Sequence, residues 1–125
     1  MTRAWGTAMA VEAAAFAVAS TVHFATGFTD AAIPELVIAV VLGGGSLAVL
    51  TRRSHAWGIA VGATAFATFG TVVGLIIIAT GRQDVPDLTY HASILTALAV
   101  TLTTIVRRAQ VRAPTPIART RTQAK

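Results

Sequence analysis

Glu12 is the residue best placed to do chemistry in this 125-residue sequence, because it stands alone as an acid in the apolar run from Ala4 to Ala25. A carboxylate inside a membrane-length segment costs roughly 2.5 kcal/mol or more, so such a residue marks a candidate proton or cation site. His23 follows eleven positions later. Eleven helical steps return to nearly the same face, about 16 Å along the axis, so Glu12 and His23 would serve the two halves of one span. A relay between them would need water or hydroxyls from other segments, and Thr64, Thr68, Thr71, Ser93 and Thr96 could supply them. His91, next to Tyr90, falls near the same predicted end as His23, together with Asp30, Glu35, Asp84 and Asp87. Two imidazoles with carboxylates can bind zinc or copper, and two imidazoles can ligate a haem between helices. His23, His91, Glu35 and Asp87 are therefore a candidate metal or haem set. No paired histidines at helical spacing pin down either ligand, and no motif calls for a cofactor.

Each of these residues also has a structural use. Histidines near span ends hydrogen-bond across helices, and His55, in Arg52-Arg53-Ser54-His55, suits an interface. Asp84-Val85-Pro86-Asp87 reads as an N-cap, a first-turn proline and an acid in the first turn, and Asp30 with Pro34-Glu35 repeats that reading less regularly. Acids there also favour the helix dipole. Glu12 itself could be a space-filling glutamate packed opposite Gly62. The chain has no cysteine, which removes disulfides, thiolate metal sites and cysteine nucleophiles. Nucleophile elbows, phosphate loops, dinucleotide fingerprints and zinc-protease boxes are absent too, and Gly43-Gly44-Gly45 follows no strand. A non-enzymatic protein is expected.

The elements that must position these side chains follow from hydropathy. Hydrophobic residues make up 54% of the chain and charged ones 12%, with a mean hydropathy of +0.69. Crossing the hydrocarbon core takes about 20 apolar residues. Four segments meet that length, at about 4–25, 33–50, 56–78 and 88–106. Their connections are short, so residues 1–106 are expected to form one all-α membrane domain, an antiparallel bundle of four transmembrane helices. Trp5, Trp57 and Tyr90 fall at span ends, as an aromatic belt does.

Net charge is +5, a balance that can signal nucleic-acid binding, but the placement of the charges points elsewhere. Arg3, Arg52, Arg53, Arg107, Arg108, Arg112, Arg119, Arg121 and Lys125 fall on one side of the predicted topology, and Arg82 alone on the other. By the positive-inside rule both termini are cytoplasmic, in a multi-pass protein of the cell membrane. No nucleic-acid partner is expected. Residues 107–125 read as a basic, disordered cytoplasmic tail, which would orient the bundle or contact anionic lipid. The bilayer, a second copy or another membrane protein are the expected partners.

The halves of the chain also match each other. Ala10–Val22 and Ala60–Val72 share eight of thirteen residues, Ala25-Thr26-Gly27 with Asp30 pairs with Ala79-Thr80-Gly81 with Asp84, and Ile33-Pro34-Glu35-Leu36 pairs with Val85-Pro86-Asp87-Leu88. Two tandem helical-hairpin repeats would be related by an axis along the membrane normal. In that arrangement the row Gly58, Gly62, Phe66, Gly70 and Gly74 would pack against Ala8, Glu12, Phe16 and Ser20, since small residues at this spacing let membrane helices approach. A homodimer contact is the alternative use of the glycine row.

Two resemblances rest on these residues. His23-Phe24 with Gly27, Ala31 with Ile33-Pro34-Glu35, Gly70-Thr71 with Val73-Gly74, and Pro86-Asp87 with Tyr90-His91 form a signature similar to that of uncharacterised small four-span membrane proteins of actinobacteria. It covers most of the chain and implies a fold and a location without an activity. The length, the four spans and the early Glu12 also resemble the small multidrug resistance family, in which such a glutamate exchanges protons for cationic drugs in a dimer. The aromatic residues lining that family's site have no evident counterparts here. Three functions are therefore carried forward: a packing or accessory subunit, a proton-coupled small-molecule or cation transporter using Glu12 and His23, and a haem- or metal-binding redox subunit.

Overall fold

Four largely apolar stretches form four α-helices in the computed structural model, which describes residues 2–81 and 85–112. They are α1 (Thr2–Ala25), α2 (Thr29–Leu50), α3 (Ala56–Thr80) and α4 (Val85–Arg112). All four are long and apolar enough to cross a membrane. The helices extend beyond the expected spans at several ends. Most notably, α2 starts at Thr29, leaving Pro34 inside it, and α4 continues to Arg112, six residues into the segment read as a disordered tail. Pro34 is the sixth residue of α2, and having no N–H it leaves the Asp30 carbonyl without the helical donor it would otherwise receive. Residues 113–125, Arg82 and Asp84 lie outside the described residues.

Tight ends set the antiparallel layout. Gly27 takes φ 82°, Phe28 N–H donates to His23 O and Gly27 N–H donates to Phe24 O. This double-bonded cap ends α1 and reverses the chain within three residues. The same pattern closes α2, where Arg53 N–H donates to Ala48 O and Arg52 N–H to Val49 O. There the left-handed position is held by Arg52, at φ 55°, a conformation costing a non-glycine residue roughly 1–2 kcal/mol. Gly81, matched to Gly27 in the sequence, sits at φ −109° instead.

Each helix packs beside its neighbours in the chain, and α4 returns to α1. The α1–α2 pair is held by more than van der Waals contact. Ser46 Oγ donates to Gly6 O and Ser20 Oγ to Ala32 O, each at 2.7 Å. Such interhelical bonds contribute about 0.6 kcal/mol each in membrane proteins. The core between helices contains Met9, Phe16, Leu42, Ala60, Leu98 and Ile105.

This packing corrects the expected face-to-face rows. The helix opposite α1 across its polar seam is α4, and Gly58 and Gly62 have open space where a side chain would be. The glycines that allow close approach between helices are Gly6, Gly45, Gly70 and Gly74. A methyl on Gly45 would lie 2.6 Å from Met9 Cε and 2.9 Å from Ala63 Cβ. Gly70 accommodates Ile38, and Gly74 accommodates the His91 ring at 3.2 Å. The half-to-half match is not reproduced on the helix faces either. Phe16 is 1% exposed, whereas its partner Phe66 is 47% exposed. The buried face of α3 is Ala60, Ala63, Thr64, Ala67 and Thr71, one residue out of step with the buried face of α1. One residue turns a helix by about 100°, so identical letters point to different neighbours.

Gly45→Ala is expected to destabilise the bundle by about 1–3 kcal/mol through overpacking, while Gly62→Ala changes stability by no more than about 0.5 kcal/mol. Reversible unfolding in mixed micelles measures both.

Candidate functional site

The polar residues gather at two levels of the seam between α1, α2 and α4. The first lies at the end of the bundle where α1 meets α2 through Gly27. His23 comes from the last turn of α1, Glu35 from the second turn of α2, and Asp87 and His91 from the first turns of α4. His23 Nδ1 lies 2.7 Å from Glu35 Oε2. The other oxygen of Glu35, Oε1, lies 3.9 Å from His91 Nε2. His91 Nδ1 lies 3.1 Å from Asp87 Oδ1, and donates to Asp87 O at 3.0 Å. Asp87 Oδ1 in turn lies 3.8 Å from His23 Nε2. The four side chains thus form a closed ring in which imidazole and carboxylate alternate.

The ring has a wet side and a dry side. The Asp87 and His23 side chains are 25% and 15% exposed, those of His91 and Glu35 7% and 5%. With both carboxylates ionised, its net charge runs from −2 with both imidazoles neutral to zero with both protonated, since each imidazolium offsets one carboxylate. Phe28 packs edge-on against His23, and Tyr90 against both His91 and Phe16. Glu35 Oε1 and the Tyr90 hydroxyl are buried without a hydrogen-bond partner among the described residues.

The second level is Glu12. Its position in α1 puts it about 15 Å from the start of the helix, near the middle of the span. It is buried, and Thr101 Oγ1 of α4 donates to Glu12 Oε1 at 2.7 Å. Oε2 is buried without a partner among the described residues. Further along the same seam the Arg108 guanidinium lies 5.7 Å from the centre of the Trp5 ring, a cation–π contact.

Several expectations change. Glu12 does not face Gly62, because α1 turns that side towards α4. The hydroxyls expected to connect Glu12 with His23 do not do so. Thr64, Thr68, Thr71, Ser93 and Thr96 all donate to carbonyls one turn back on their own helices, and Phe16 fills the space along α1 between the two levels. The residue that was missed is Thr101. Its signal was available, because Ile94, Leu98, Thr101 and Ile105 recur at helical spacing on the buried face of α4. Glu35 is not a capping residue, since α2 begins six residues earlier and Phe28 at its N-cap makes no side-chain capping bond. Asp30 stands in the first turn of α2, where it complements the dipole. Asp87 also lies in a first turn, and it belongs to the ring as well.

The four residues expected to form a metal or haem site are brought together, but among the described residues no three His, Asp or Glu side chains are arranged to hold a metal ion. Glu35 stands between the two imidazoles, one oxygen towards each. What the arrangement can do is bind protons. A 2.7 Å contact between an imidazole nitrogen and a carboxylate oxygen is short enough to be a charge-assisted hydrogen bond.

Thr101→Val is expected to destabilise the bundle by about 1–3 kcal/mol, because it leaves the Glu12 carboxyl with no donor. In a Glu12→Leu background the same change should cost far less. A double-mutant cycle in detergent reads this coupling. No protein-family model matches the chain, and comparisons with curated proteins and with solved structures find no match.

Proposed function

We propose that this chain is a non-enzymatic multi-pass protein of the cell membrane that takes up and releases protons, in the manner of a small proton-coupled transporter or channel. The observation that carries this reading is the closed ring of His23, Glu35, His91 and Asp87. Ionisable groups in a membrane bundle are costly and are candidates for ion or proton paths, and imidazole is the side chain whose charge changes between pH 5 and 8. Protons would enter at Asp87 and His23, the wetter side, and load Glu35 and His91. Glu12 with Thr101 is the second station, deeper in the seam.

Orientation follows from the charges. With nine of the ten basic residues on one side of the topology, both termini are cytoplasmic and the ring faces the outer leaflet. In proteoliposomes holding a trapped pH-sensitive dye, wild-type protein is expected to dissipate an imposed pH gradient faster than empty vesicles. Glu35→Gln and Glu12→Gln should each cut that rate at least tenfold. A wild-type rate equal to that of empty vesicles rules the reading out.

A packing or accessory role is the second reading, supported by one observation. Gly58, Gly62, Phe66 and Phe69 lie on an exposed face of α3 with space beside both glycines, a pattern suited to another helix. Gly62→Ile should then lower the apparent mass of the wild-type complex on native gels, and an unchanged mass would count against it.

A further inference from the structure

The end of the bundle opposite the ring carries a groove that neither the proton reading nor the core packing uses. It runs along the outer surface between the last two turns of α2 and the start of α3, with a volume of about 480 Å³. Its floor and walls are Gly44, Leu47, Ala48 and Ile59, and its rim is Thr51, Arg53, Ser54 and His55. Gly44 leaves open space where a side chain would stand, so the floor is backbone. Next to it, Gly45 lets α2 and α3 meet closely at Ala63, which closes the inner side.

Two features define the occupant. The first is a gradient of polarity. Arg53 and His55 lie in the link between the helices, and Gly44 lies about 10 Å deeper along α2. The groove therefore changes from cationic to apolar along the helix axes, the direction in which a phospholipid changes from phosphate to acyl chain. The second is charge. Arg52 and Arg53 flank this end, and the sequence has no acid between Leu36 and Gln83. The left-handed Arg52 reverses the chain here and sets Arg53 on the rim, while Ser54 Oγ and His55 Nδ1, 3.1 Å apart, hold the imidazole.

We propose that this groove binds one anionic phospholipid, with its phosphate at Arg53 and His55 and an acyl chain along Gly44, Ala48 and Ile59. Backbone at the floor gives the chain a channel, and the arginine draws the negative headgroup of the cytoplasmic leaflet. The site is lined by residues of α2, α3 and their link, none of them in the proton-binding ring, and it rests on insertion of the bundle in a bilayer.

The test is a titration of fluorescent phosphatidylglycerol into full-length protein reconstituted in phosphatidylcholine nanodiscs. Binding is expected to saturate at one lipid per chain, and phosphatidylcholine should not compete. Arg53→Gln should weaken binding about fivefold, the effect of one basic contact at the surface. Gly44→Leu, which fills the floor while keeping every charge, should abolish the saturable component, and Gly43→Leu, beside the groove, should leave it unchanged. Retention of binding by Gly44→Leu would overturn the site in favour of diffuse attraction to surface charge, as would equal competition by phosphatidylcholine. Circular dichroism of the same nanodiscs reports insertion separately, and loss of helix there in the wild type would overturn the bilayer reading itself.

Discussion

The short contact between His23 and Glu35 is the interaction on which the polar end of this bundle depends. Helices in a membrane gain little from burying apolar surface against each other, because lipid is as apolar as their side chains. Position must come from close packing and from polar groups that need one another. His23 joins α1 to α2 directly across the turn at Gly27. Once one oxygen of Glu35 is committed to His23, the other faces His91, and His91 is held in turn by Asp87 one turn back on α4. Three helices are thereby tied through four side chains. Gly74 completes the arrangement from α3, since any larger residue there would press on the His91 ring.

The same logic explains the division of labour between the two ends. Glu12, Ser20 and Ser46 place their polar atoms between helices, each against a partner on another helix. Most other hydroxyls in the apolar helices donate back to their own carbonyls, which satisfies them locally without fixing any tertiary contact. The α1–α2 hairpin is joined at both ends in this way and by close contacts at Gly6 and Gly45. By contrast, α1 and α4 meet through Glu12 and Thr101, Phe16 and Tyr90, and Trp5 and Arg108. The contacts between α1 and α4 are thus made by side chains rather than by backbone approach.

The repeated motifs show where similarity of letters stops carrying structural weight. Ile33-Pro34-Glu35-Leu36 and Val85-Pro86-Asp87-Leu88 do place equivalent acids in one cluster. Phe16 and Phe66 match equally well, yet one fills the core and the other faces outward. Gly27 and Gly81 match also, and only the first is left-handed. A helix carries its identity through spacing, and a one-residue offset turns each side chain by about 100°.

Sequence alone determined the four helices, their approximate limits, the separation of basic from acidic ends and the list of residues able to carry protons. Those properties follow from local hydropathy and from charge, which each residue holds irrespective of its neighbours. The tertiary structure decided which helix faces which. It took Glu12 away from Gly62 and gave it Thr101, set Glu35 between the two imidazoles of the residues expected at one end, and left Gly58 and Gly62 without a close neighbour in the bundle. Helical spacing marks Thr101 as inward-facing, but no local signal says which helix it meets, because in an apolar bundle every helix face is comfortable against lipid. The choice among them is made by a few buried polar groups, and their partners are up to 89 residues apart in the chain.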